Sequence, residues 1–88
     1  MPINEIPTAE QIQGSVTAAF HSVDLINAVV AGTQMMNESA QEKKDCVKRN
    51  YDHLEIMIAK EWFAEALTTE QAEAIDTVIA DGKTYYAA

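Results

Sequence analysis

The sequence predicts an all-α fold: a long antiparallel helical hairpin and a shorter third helix, forming a three-helix bundle that dimerises. Three observations predict it. Ser39 to Leu67 contains no Gly or Pro, and it holds the only Trp, one of the two Phe and five of the six basic residues. Both Pro stand near one end, at 2 and 7, and Gly occurs only at 14, 32 and 82, a distribution that suits helices better than a turn-rich sheet. Thr8, Ser39 and Thr68 are each followed three residues later by Gln11, Glu42 and Gln71, the pattern in which a hydroxyl and an N3 side chain satisfy each other's orphan amides at a helix start.

The 88 residues make one domain, with Met1–Pro7 as an extended N-terminal arm and residues 83–88 as a C-terminal tail. Pro2 and Pro7 disfavour helix in the arm, and Ile3 and Ile6 are expected to anchor it on the body. The first helix is predicted over Ala9–Ala31, with Ile12, Val16, Ala19, Phe20, Val23, Ile26 and Val30 along one stripe. Gly14 interrupts it, and the expected reason is a close helix contact or a frayed first turn. Gly32 is a natural C′ residue able to take positive φ. The last turns, V-D-L-I-N-A-V-V-A-G, are apolar nearly all round, which implies burial on two sides.

Thr33–Glu38 is the expected connection. Met35 and Met36 within it either cover the end of the core or form an adaptable apolar patch. The second helix is predicted to run unbroken from Ser39 to Leu67, roughly 40 Å, with Val47, Tyr51, Leu54, Ile58 and Trp62 in one stripe. Its second half carries Ile56, Ile58, Ala59, Trp62, Phe63, Ala66 and Leu67 over about half the circumference, so it is expected between at least two other helices. A third helix opens at Thr68, uses Ala72, Ile75, Val78 and Ile79 as its stripe and closes at Gly82. Tyr85 and Tyr86 follow in the tail, and at least one is expected to dock on the body or on a partner. T-A-E-Q-I at Thr8 and T-T-E-Q-A at Thr68 repeat the same start signal without any fixed period, so no repeat architecture is implied.

These lengths differ, at about 23, 28 and 12 residues. The short third helix covers only half of the hairpin, near Trp62. The other end is expected to stay open, with Val23, Leu25, Val29, Met35, Met36, Val47 and Tyr51 around it and Tyr85 and Tyr86 as further interface residues. An open apolar end of that kind marks an interface, and a homodimer is the expected outcome.

The net charge is −8. Residues 1–40 carry four acids and no base, residues 41–60 four acids and five bases, and residues 61–88 six acids and one Lys. This balance argues against direct nucleic-acid binding through phosphate neutralisation and against attraction to an anionic membrane surface. No uninterrupted apolar run approaches a membrane span, no signal-peptide pattern opens the chain, and Cys46 is alone. The expectation is a soluble protein of a reducing compartment such as a bacterial cytoplasm. The basic cluster Lys43, Lys44, Lys48 and Arg49 is read as a solvated face, with Asp45–Arg49 and Lys48–Asp52 as four-apart pairs. The competing reading is a face that meets the acidic ends of another chain.

No catalytic set is legible. His21 and His53 stand on different helices, and Cys46 and His53 share a helix face but lie about 10 Å apart along it, too far for a nucleophile and its base. The Glu-x-x-His motif of di-iron bundles is absent; Asn50-x-x-His53 has its spacing without the acid. Phosphate-loop, dinucleotide and zinc-finger patterns are absent as well. The sequence thus predicts a non-enzymatic protein without metal or cofactor.

At V-D-L-I-N-A-V-V-A-G and R-N-Y-D-H-L-E-I-M-I-A-K-E-W-F, followed by I-A-D-G-K-T-Y, about two-thirds of the chain resembles small helical proteins of unassigned function. Those are encoded by tailed phages of marine bacteria, cyanobacteria-infecting myoviruses among them. The resemblance implies a phage context, a virion or assembly role, a place in the host cytoplasm or virion, and no catalytic residue. The expected function is a self-associating structural or adaptor protein that docks on a larger assembly. The alternative is an acidic inhibitor that mimics DNA and blocks a host nucleic-acid-binding protein, although the Lys-rich middle interrupts a continuous acidic face. A regulatory module that binds an enzyme is a third class, with no feature in its favour.

Overall fold

The computed structural model describes residues 6–88. Among them there are four helices and no strand: α1 (Ala9–Ala31), α2 (Ala40–Ile58), α3 (Glu61–Ala66) and α4 (Thr69–Ala87). Ile6 in the arm is 68% exposed, so it does not anchor the chain; Ile3 lies outside the described residues.

The three long helices begin where the capping pattern places them. Thr8, Ser39 and Thr68 each accept from the N3 amide, and Gln11, Glu42 and Gln71 reach back to the cap amides. At the end of α1, Gly32 takes φ 81°, ψ 16° and its amide donates to Val29 O at 3.1 Å, while Thr33 N donates to Ala28 O at 2.9 Å. Only a residue without Cβ adopts this left-handed stop at no steric cost.

Two departures from the sequence reading reshape the molecule. The predicted single rod from Ser39 to Leu67 is broken at Ala59–Lys60, so α2 ends and the six-residue α3 turns away. The break uses ordinary helix-forming residues, so tertiary packing makes it: Phe63 on α3 is fully buried, and α3 packs against α1 and α2. The second departure is at Gly82, which does not close the last helix. α4 continues to Ala87 and takes in the stretch read as a tail. It is as long as α2.

The longer α4 runs back along α2. Its Gly82 lies over Tyr51, Val47 and Ile26, Lys83 reaches Glu55, and Lys44 donates to the carbonyl of Ala88. A Cβ on Gly82 would stand 3.0 Å from Tyr51 Cδ2 and 3.2 Å from Val47 Cγ1. This is the close helix contact expected at Gly14. Around Gly14 there is open space instead, with nothing within 4 Å of a Cβ built there. Gly14→Ala is therefore expected to stabilise the fold by up to ~1 kcal/mol, because Ala loses less backbone entropy in a helix. A thermal melt should show a rise of a few degrees.

The core is apolar throughout. Val16, Ala19, Val23, Ile26 and Val29 of α1 meet Val47, Tyr51, Leu54 and Met57 of α2, Phe63 of α3 and Ile75, Val78 and Ile79 of α4. Among the described residues no polar or charged side chain is buried. By length and composition α1 alone of the described helices could cross a bilayer, its most apolar 18-residue window having a mean hydropathy of 1.2. In this fold its most buried side chains belong to the shared core.

Candidate interaction surface

The open end expected around the hairpin is closed within the subunit. Val23, Val29, Val47 and Tyr51, four of the nine predicted interface residues, are buried in its own core. Gly82 of α4 lies over Val47 and Tyr51, Val23 lies beside Ala74, Thr77 and Val78 earlier in the same helix, and the stretch from residue 83 expected as a tail is part of that helix as far as Ala87. Leu25, Met35, Tyr85 and Tyr86 are half-buried and pack against that core. Met36 alone of the nine is fully at the surface, 70% exposed.

Tyr51 is the centre of the closure. Tyr86 meets it edge to face, with centroids 6.4 Å apart and planes at 84°, an arrangement favoured by the ring quadrupoles. Lys48 and Lys83 stand 6.0 and 5.9 Å from its ring centroid, and each is held by a carboxylate, Lys48 by Asp52 and Lys83 by Glu55, both at 2.7 Å. The hydrogen bond to its carboxylate is the main cause that raises each Lys above its ordinary pKa. The expected Lys48–Asp52 pair is thus formed. Asp45 is bound to Gln41 Nε2 at 2.9 Å, and no Asp45–Arg49 bridge occurs among the described residues. Lys44, poorly placed near the N-terminus of its own helix, sits at the C-terminus of α4, where a cation complements the helix dipole.

The apolar surface that remains is different from the predicted one. Val30 is 40% exposed, Ile56 60% and Met36 70%. Val30 and Met36 belong to the same end of the molecule, at the last turn of α1 and the connection after it. There Met35 takes a left-handed backbone with φ 55°, a conformation that costs a non-glycine residue on the order of 1 kcal/mol. Its side chain packs on the core while Met36 stands in solvent. Beside them His21, Asp24, Leu25, Ala28, Thr33 and Gln34 line a shallow cleft of about 460 Å³. The helical stripes predict Val30 and Ile56 as core positions, and both are exposed. The signal for Ile56 was present, since at ~100° per residue it lies opposite Val47 on the helix.

His21 and His53 are both exposed. Cys46 is buried, and Asn50 Nδ2 lies 3.7 Å from its Sγ and donates to its carbonyl at 2.8 Å. Among the described residues no three His, Cys, Asp or Glu side chains converge as metal ligands. Comparison with known families, with curated proteins and with solved structures finds no match.

Proposed function

We propose that this chain is a non-enzymatic structural or adaptor protein that self-associates and docks on a larger assembly, in the phage setting implied by the sequence resemblance. The observation that carries this reading is the exposed apolar end at Val30 and Met36 on a subunit whose core is otherwise sealed. The thioether of Met36 adapts its shape to a partner, and burying what Val30 and Met36 still expose is worth about 2 kcal/mol, enough to change affinity more than tenfold. The host cytoplasm, with the virion as destination, is the location this reading requires.

The test is capture of partners from phage-infected cells with the wild-type chain and with the double variant Val30→Lys, Met36→Lys. Wild type is expected to capture virion or assembly proteins. The variant, with its melting temperature preserved, should bind them at least about tenfold more weakly. Equal capture by both would remove this end as the docking surface. The acidic-mimic reading draws on Glu70, Glu73, Asp76 and Asp81, which are exposed on α4, and capture of a host nucleic-acid-binding protein would favour it.

A further inference from the structure

We propose that the break at Ala59–Lys60 is a hinge through which two copies of the chain exchange α3 and α4, giving a domain-swapped dimer. The proposal rests on the reading that the chain self-associates, though not on which face of the subunit docks elsewhere. The break lacks the features that ordinarily end a helix. No Gly or Pro occurs from Ser39 to Leu67. Ala59 keeps a right-handed helical backbone at φ −74°, ψ −14°, and only Lys60, at φ −86°, ψ 120°, leaves it. The other three helices each carry a capping box, whereas no side chain caps α3. Rotation about one backbone bond of Lys60 therefore joins α2 and α3 into one rod of roughly 40 Å.

Local and tertiary preferences oppose each other at this point. In the closed hinge the Lys60 amide makes a tight bond to Met57 O at 3.0 Å, and the Phe63 and Ala64 amides share Lys60 O. A continuous helix gives Glu61, Trp62 and Phe63 separate carbonyl partners at Met57, Ile58 and Ala59. What holds the hinge closed is the burial of Phe63, Ile75 and Val78 against α1 and α2. A second copy supplies the same side chains to the same surface. Exchange therefore keeps the core contacts and gains helix hydrogen bonds. Its cost is the entropy of association, which concentration offsets. The surface that α4 would vacate also selects its occupant: Ile26, Val47 and Tyr51 lie so close beneath Gly82 that a helix with a side chain at this point is too thick. The α4 of another copy fits by identity. Each swapped dimer would carry two Val30–Met36 ends.

Glu61→Pro tests the hinge. Position 61 is the first residue of α3, where Pro is favoured, and Lys60 before it already has the extended backbone that a following Pro requires. In a continuous rod the same Pro would lose the bond to Met57 O and clash with it. Wild type refolded at high concentration is expected to yield a dimer that persists on dilution, seen by light scattering. Glu61→Pro should give monomer alone with an undiminished melting temperature, and dimerisation equal to wild type would overturn the swap.

A second measurement uses the native chain. Light and heavy-isotope chains are unfolded and refolded together, and a zero-length carbodiimide joins Lys83 to Glu55, 2.7 Å apart. Mixed-label Lys83–Glu55 peptides from the dimer support the exchange. Same-label peptides alone would overturn it and leave surface self-association standing. Monomer at every concentration would remove both.

Discussion

Phe63→Ala should lower the stability of this protein by about 3–5 kcal/mol, the usual cost of truncating a fully buried Phe. Phe63 is the largest side chain with no exposure at all. It sits on a helix of six residues, which has no stability of its own. Its burial therefore holds the whole α2–α3 turn in place, and the Trp62 ring beside it, at 6.2 Å and 79°, forms the outer wall of the site. A small domain has only about 5–15 kcal/mol in total, so the loss is a large share of it. With ~4–8 °C per kcal/mol for a domain of this size, the melting temperature should fall by tens of degrees. Trp62→Ala, at a half-buried position, should cost less. A drop of only a few degrees for Phe63→Ala would mean that the break at Ala59–Lys60 is not held by this contact.

Gly82→Val should destabilise by about 3 kcal/mol, at the upper end of what overpacking costs. The penalty comes from contact and not from backbone angle, since Gly82 is an ordinary helical residue in α4. A Cβ there already meets Tyr51 and Val47 at 3.0 and 3.2 Å. Both neighbours are buried, and Tyr51 also packs with Tyr86 and lies near Lys48 and Lys83, so a shift of either disturbs further contacts. Gly82→Ala has the same sign and a smaller size, because the gain in helix propensity, up to ~1 kcal/mol, is set against the clash. The valine variant should also lift the end of α4 and expose Val47, Tyr51 and Ile26. That would recreate the open end that the sequence alone suggests, visible as dye binding and concentration-dependent association. A melting temperature equal to wild type would show that α4 is not seated there as described.

The contrast between Gly82 and Gly14 indicates where sequence reading ends. Both lie inside helices, and neither has local sequence that tells a packing contact from open space. Gly32 was legible because its role, a left-handed stop, is set by the residues just before it. The candidate surface follows the same division. Met36 could be picked out as an apolar residue in a connection. Val47 and Tyr51 could not be assigned to core or interface until the course of α4 over them was known.

From the chain alone came the helical class, three helix starts, the end of the first helix at Gly32 and most core stripes. These depend on contacts within about four residues, through caps, propensity and periodicity. Packing decided that the long central rod breaks at Lys60, that the last helix runs through Gly82 to Ala87, and that the expected open end is sealed. The reason is one of separation: Phe63 against α1, and Gly82 against Tyr51, join residues more than thirty positions apart, and local preference at a helix-forming stretch yields when enough apolar surface is buried by bending it.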